Sequence, residues 1–564
     1  MSLALPDDQL KLLCTKSGLV DEKQFAEAQS FATSTDRPVD EILVDKGFVS
    51  DEKLGSLIAA HLKLPFVVLG NLTIPEKVFN IVPEHIARKQ KIIAFAKDTA
   101  GLKVAMADPS RTEVLEALAK KVGVKVIPHF ATQFDISNIL RSYEKDLQKI
   151  VDNLLKEDIF STKNVTDDPP VAKIVDALID SAYQEKASDI HIEPEETSCL
   201  VRLRVDGMMR DVLHAPKFLH DRIITRIKVE SSLRTDEHLS AQDGKMRMEL
   251  EEENLDIRVS IVPVVNGEKA VLRLLSSRSR QYSFETLGMN DADLKKVQAA
   301  YSRSFGMILS TGPTGSGKTT SIYSVLKILN TREKNITTIE DPVEYRIKGA
   351  NQIQVNVKTN LTFANGLRSI LRQDPNIIFV GEIRDNETAY IAVNAALTGH
   401  LVVSTLHTND AATAIPRLTD MKVEPFLVAS TVNVIIAQRL VRQICNQCKE
   451  EALVTAADFN KNFPAESLKK VFGSNGHKIR AYQGKGCKAC RNTGYSGRVG
   501  LFEVLEVTKD VRKLIIQKSD ADIITKAARE EGMRTMLEDG LDKVSRGVTT
   551  IEEVLRVTKA EFLT

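Results

Sequence analysis

The stretch at residues 306–329 reads "GMILSTGPTGSGKTTSIYSVLKIL" and sets the class of fold to which the chain belongs. It opens with an apolar run short enough for a buried strand. It then passes through Gly312 to Thr319, which fit G-x-x-x-x-G-K-[ST], and continues as a helical pattern. Strand, glycine-rich loop and helix in that order are the context a phosphate-binding loop requires. The glycines let backbone N–H groups turn toward phosphate oxygens, and the helix N-terminus adds positive potential. Gly312, Pro313, Thr314, Gly315, Ser316, Gly317, Lys318, Thr319 and Thr320 are therefore the candidate nucleotide cradle. Lys318 is expected at the β and γ phosphates of ATP, and the Thr319 hydroxyl on Mg²⁺.

Working outward, residues 285–440 alternate helical patterns with apolar strands such as "NIIFVG", the mark of a doubly wound α/β domain. "NIIFVGEIRD" (376–385) reads as a buried strand running into Gly381 and Glu382, without the Asp usual at such a strand end. Glu382 is the best candidate for polarising an attacking water. Gly381 is expected to let the backbone come close to the γ-phosphate. Arg384 and Asp385 read as a local ion pair. "TTIEDPVEY" (337–345) sets Glu340, Asp341 and Glu344 at another strand end, where carboxylates position Mg²⁺ or water. A solvated turn beside Pro342 presents the same residues, so the pattern alone leaves both readings open. "GHLVVSTLHTND" (399–410) puts His400 and His407 at opposite ends of an apolar strand. Either could meet a phosphate or be a satisfied structural histidine.

The chain has 564 residues, 77 Lys+Arg and 76 Asp+Glu. That balance gives no global attraction to nucleic acid, and no nucleic-acid partner is expected. "MSLALPDDQLKLL" lacks the positive start of a signal peptide. No window approaches the ~18 apolar residues of a membrane span. The longest apolar candidate, "FLVASTVNVIIA" (426–437), fits a core helix or strand. A cytoplasmic protein is expected, peripheral to any membrane.

Of six cysteines, Cys445 and Cys448 form one C-x₂-C pair and Cys487 and Cys490 another. Four thiolates in two such pairs suit one structural tetrahedral Zn²⁺ with no open position.

Residues 1–147 mix short helices and strands. "LLCTKSGLVDEKQFAEAQ" and "EILVDKGFVSDEKLGSLI" resemble each other, with Asp21 and Ser50 as helix caps. Two similar helical hairpins packed together would give the same pattern. Residues 148–168 read as a linker ending at Pro169 and Pro170. Residues 169–284 read as a small α+β domain, with Arg258 and Arg273 on strand-like stretches. Residues 441–500 hold the cysteines, and 508–564 are helical, with a capping box at Thr550 and Glu553.

Taken together, "ASDIHIEP", "VRLRVDG", "QDGK", "RVSIVPVVNGEKAVLRLL", the phosphate loop, "TTIEDPVEY", "LRSILRQDPNIIFVGEIRD", "TGHLVVSTLHTNDA", "AQRLVRQIC" and "AREEGMRTMLEDGLDKV" resemble the ATPases of type II secretion and type IV pilus systems. The resemblance spans nearly the whole chain. The long N-terminal region and the four cysteines resemble the pilus-assembly (extension) members, with the general secretion members as the close alternative. The resemblance implies a RecA-like ATPase domain preceded by a small PAS-like α+β domain and an N-terminal α/β domain. It implies a homohexameric ring driving pilin polymerisation through an inner-membrane platform protein, with a cytoplasmic pilus alignment protein as a further partner of the N-terminal domain. It places Glu344 in an acidic box, makes Glu382 the Walker B glutamate, adds His407 to the catalytic set, and turns Arg258 and Arg273 toward nucleotide from the small domain. Some members bind cyclic di-GMP on tandem N-terminal units that begin Arg-Leu-Gly. Here "QLK" (9–11) and "PVD" (38–40) stand at those starts, so cyclic di-GMP is not expected.

Overall fold

The computed structural model describes residues 5–35, 38–45, 48–72, 74–140, 147–161, 170–250, 253–276, 284, 286–453, 480–487 and 490–558. The chain divides into two units, Met1–Ser181 and Ala182–Thr564.

In the first unit, β1 (Ile92–Asp98), β2 (Gly101–Met106) and β3 (Val126–Phe130) form one sheet. β1 pairs antiparallel with β2, and β2 parallel with β3 across the helix Thr112–Val122. The repeated segments form helices Asp7–Lys16, Glu22–Thr35, Val39–Asp45 and Asp51–Leu62. They close on one core that includes Leu10, Phe25, Ile42 and Leu54. Both expected caps are made: Asp21 accepts from the Gln24 N–H at 2.7 Å, and Ser50 from the Lys53 N–H at 3.4 Å. The segment read as a linker instead carries a helix, Leu147–Ser161, before residues 162–169, which lie outside those described. Leu147 and Val151, four apart, supply the buried stripe that the polar text around them obscures.

The second unit opens with a six-stranded sheet. Its strands are β4 (Asp189–Pro194), β5 (Ser198–Val205), β6 (Met208–Pro216), β7 (Gln242–Glu249), β8 (Asn254–Val264) and β9 (Gly267–Leu275). Their order is β6-β5-β4-β9-β8-β7, with every pair antiparallel. Alternation along the strands buries one set of side chains, Ile190, Leu203, Ile257 and Leu272 among them. The helix Lys217–Glu230 packs against this sheet and buries Leu219, Ile223 and Ile227. The alternate positions carry Asp189, Arg204, Arg258 and Arg273 on the opposite face.

The larger sheet is made of β10 (Gly306–Thr311), β11 (Ile336–Glu340), β12 (Ala350–Gln354), β13 (Ile377–Val380), β14 (Leu401–Leu406), β15 (Val432–Ile444) and β18 (Tyr495–Glu506). β16 (Lys449–Leu453) and β17 (Arg480–Gly484) form a separate antiparallel pair. The order is β12-β11-β13-β14-β10-β15-β18, parallel except for β18 on β15. β10, β11, β13 and β14 are buried along their whole length, because helices such as Lys318–Leu329 and Asn386–Leu397 cover the faces. Ile378 and Val380 belong to the core on one face and Phe379 to that on the other. "FLVASTVNVIIA" turns out to be both elements: the helix Pro425–Thr431 passes directly into β15. Among the C-terminal helices the reciprocal capping box is at Thr535 and Glu538. At Thr550 only half of one forms. Its hydroxyl accepts the Glu553 N–H at 3.4 Å, while the Glu553 carboxylate is taken by Arg442 and Arg556.

Candidate active site

The parallel order brings the C-terminal ends of β10, β11, β13 and β14 side by side, where an open α/β sheet places its ligand. The phosphate loop leaves β10 here. Gly312, Gly315 and Gly317 have φ of 144°, 78° and 89°, a region L side chains rarely adopt. Space reinforces this at two of them. A Cβ on Gly312 would meet the Gln438 carbonyl oxygen at 2.5 Å, and one on Gly317 the Gln438 Nε2 at 2.7 Å. Gln438, on β15, also accepts from Ser321 Oγ at 2.5 Å and so braces the loop against its helix. Nothing in the stretch "AQRLVRQIC" marks Gln438 for this part. Its role depends on β15 pairing with β10, which local pattern does not reveal.

Within the loop Pro313, Thr314 and Gly315 are exposed, while Ser316 is buried and its Oγ has no hydrogen-bond partner among the described residues. Thr319 and Thr320 are half-buried in the first turn of the helix. Lys318 Nζ donates to the carbonyls of Gly312 at 2.7 Å and Pro313 at 3.0 Å. Burial pulls this lysine down to about 8, partly opposed by the charge of Glu382. A buried ammonium, an unpartnered hydroxyl and the N–H groups of a helix start fit an anionic phosphate.

Glu382 stands just past β13, with its side chain 12% exposed. One oxygen is 2.6 Å from Arg384 Nη2 and the other 3.2 Å from His407 Nε2. Arg384 therefore pairs with Glu382, not with Asp385. Asp385 instead caps the helix Asn386–Leu397, accepting from the Thr388 N–H at 2.8 Å. His407, at the end of β14, joins the site. His400, at the other end, bonds the Ala395 carbonyl at 2.9 Å and is structural. Gly381 is close to protein backbone: a Cβ there would lie 3.2 Å from both Glu340 Cα and the Ile339 carbonyl oxygen. Its smallness serves the β11–β13 junction.

The three acidic candidates separate. Glu340 is turned inward and 2% exposed. Tyr323 donates to one of its oxygens. Thr338 at 2.6 Å and Gln352 at 3.1 Å donate to the other. Burial raises its pKa against those hydrogen bonds. Asp341 is exposed. Glu344 faces the small sheet, where Arg258 Nη1 lies 3.0 Å from its carboxylate and Arg258 Nη2 donates to the Val343 carbonyl. Arg258 thus joins β8 to the acidic turn. Arg273, its direct cross-strand partner on β9, is held by Asp189 at 2.9 Å instead.

The four cysteines converge, with all sulfurs within 4.8 Å of one another. The separations of 3.9 Å (Cys445–Cys487), 3.8 Å (Cys448–Cys490) and 3.7 Å (Cys487–Cys490) match the ~3.8 Å edge of a tetrahedron with Zn–S near 2.3 Å. Backbone N–H groups of Gly486, Cys487 and Gly494 already point at sulfur, at 3.3, 3.2 and 3.3 Å. Burial pushes the Cys490 thiol up, but the Cys487 and Gly494 N–H groups and the neighbouring thiols outweigh it and bring it down to about 7. The donor set fits Zn²⁺.

Known proteins match the chain along most of its length. The family model described as "Type II/IV secretion system protein" matches residues 164–556, and that of the MshEN domain matches residues 62–149. The chain is 37% identical to the type IV pilus assembly ATPase PilB of Myxococcus xanthus, over 96% of this chain and 97% of that one. It is 45% identical to the type II secretion system protein E of Pseudomonas aeruginosa, over 70% of this chain and 77% of the other. Among solved structures, the Legionella pneumophila ATPase DotB aligns with 71% of this chain and 98% of its own, at TM-score 0.51 and 22% identity, which supports the fold alone.

Proposed function

The chain belongs to the type II/IV secretion system protein family, and from that premise we propose that this ATP hydrolase is the motor of type IV pilus assembly, driving pilin polymerisation. The observation that carries the chemistry is the meeting of Lys318, Glu382 and His407 at the ends of β10, β13 and β14. Lys318 would exchange its two loop carbonyls for phosphate oxygens of ATP. Thr319 and the carboxylates at these strand ends would hold Mg²⁺, which when bound neutralises phosphate charge. Glu382 orients the attacking water, and Arg384 and His407 hold its carboxylate in place. Glu340 acts from behind, as the buried anchor of Tyr323 and the acidic turn. Arg258, and Arg273 beside it, supply positive charge from the small domain as ATP hydrolyses. The domain closure they complete is the working stroke. Cys445, Cys448, Cys487 and Cys490 would hold a structural Zn²⁺.

The assembled motor would be a homohexamer acting on an inner-membrane platform protein, with residues 1–147 available to dock a cytoplasmic alignment protein. No helix among the described residues is long and apolar enough to cross a membrane, so membrane attachment would run through partners. Cyclic di-GMP has no part in this reading. A second reading, the motor of a type II secretion system, is favoured by the identity to protein E. Coverage favours the pilus: the pilus ATPase aligns through the N-terminal unit as well. A deletion strain separates the two, through loss of surface pili or loss of exoprotein secretion. For the chemistry, Glu382→Gln should cut turnover ~10²–10⁴-fold and leave ATP binding in place. Near-normal turnover would sink the assignment of Glu382.

A further inference from the structure

The small-domain sheet carries a transverse row of charge in which only Arg258 and Arg273 have a part in the catalysis proposed above. In register across β5, β4, β9 and β8 stand Arg204, Asp189, Arg273 and Arg258. Arg258 and Arg273 are direct cross-strand partners, a like-charged pair that by itself destabilises a sheet. Each is answered by a different carboxylate. Arg258 reaches Glu344, while Arg273 Nε lies 2.9 Å from Asp189 Oδ1.

Asp189 is built for this. Its side chain is 7% exposed. Its Oδ2 accepts from Ser188 Oγ at 2.8 Å and lies 3.5 Å from Arg204 Nε. With Oδ2 taken by these two groups, Oδ1 is the oxygen that meets Arg273 on β9. The bond to Arg273 uses Nε, so it does not consume the terminal Nη groups, and the Arg273 side chain is 57% exposed. Those Nη groups are the fork with which arginine takes two phosphate oxygens.

We propose that Asp189 is a positioning residue for ATP hydrolysis: clamped by Ser188 and Arg204, it holds Arg273 by Nε so that its Nη fork stays beside Arg258 and ready for the γ-phosphoryl group. The proposal rests on the reading of Arg273 as a residue that faces nucleotide. Arg204 belongs to the clamp and does not touch substrate.

The test is steady-state ATPase kinetics of the full chain for Asp189→Asn, Asp189→Glu, Arg273→Ala and the double variant Asp189→Asn/Arg273→Ala, with folding of each verified by thermal melt. Asp189→Asn removes the charge at constant size. Asp189→Glu keeps the charge but displaces it by one methylene. Both should lower kcat about tenfold with KM within about twofold, as expected when an interaction made only in the transition state is lost. In the Arg273→Ala background the Asp189→Asn loss should vanish. A loss that persists there, or a kcat unchanged or raised in Asp189→Asn, overturns the positioning role. Unchanged kcat in Arg273→Ala itself overturns the underlying reading of Arg273. A purely structural role for Asp189 would lower the melting temperature and add to Arg273→Ala in full.

Discussion

Raising the pH from 7 to 9 should weaken ATP binding about tenfold through Lys318 alone. Burial holds this ammonium down at about 8, against an ordinary value of 10.5. A bound phosphate restores the favoured charge, so nucleotide binds the protonated form. At pH 9 roughly one molecule in ten carries that proton, and reprotonation costs about 1.4 kcal/mol of binding free energy. At pH 7 the cost is negligible. The sign for folding is opposite. Between pH 8 and 10.5 the unfolded chain binds more protons than the folded one, so stability of the free protein rises through that window. Titration calorimetry at pH 9, in two buffers of different ionisation enthalpy, should register proton uptake approaching one per nucleotide. Lys318→Arg, whose side chain stays charged at any accessible pH, should lose the pH dependence. Affinity constant between pH 7 and 9 with no proton uptake, or an equal loss in Lys318→Arg, would rule out Lys318 as the titrating group.

Two further outcomes follow from the C-terminal region. Cys448→Ser should lower bound zinc from about one ion per chain toward none by elemental analysis, and chelator-treated wild type should match its lowered melting temperature. For Glu553, burial raises the pKa, but hydrogen bonds from Arg556 and Arg442 outweigh it and bring it from 4.5 to about 2. That depression contributes stability present above pH 4.5 and lost as pH falls toward 2, roughly 3 kcal/mol in full. Glu553→Gln should therefore destabilise the protein by about 2–3 kcal/mol at pH 7 in chemical denaturation, with the deficit shrinking below pH 4.5.

The ATPase core was legible from local text. A glycine loop between a strand and a helix needs only the chemistry of its own residues, and apolar strands alternating with helices imply a covered parallel sheet. The C-x₂-C pairs announced a metal-type cluster, which the fold then closed to 4.8 Å. The N-terminal hairpins and their caps at Asp21 and Ser50 were legible for the same local reason. The helix Leu147–Ser161 was not, because its polar face outweighs a narrow buried stripe.

Within the site, the order of residues along the chain settles which residue types are present and which strand ends they follow. It does not determine their partners. Glu340, Asp341 and Glu344 look interchangeable along the chain, yet one is buried under Tyr323, one faces solvent and one meets Arg258. Arg384 turns back to Glu382 because Asp385 is occupied as a helix cap. Gly381 accommodates a neighbouring strand, and Gln438 fits only glycines on the far side of a loop it never touches in sequence. Asp189 finds Arg273 across 84 residues. Such choices belong to tertiary structure, because a charge or an amide is satisfied by whatever the sheet order brings within about 3 Å. That order is set by burying whole strands, a property no single motif contains.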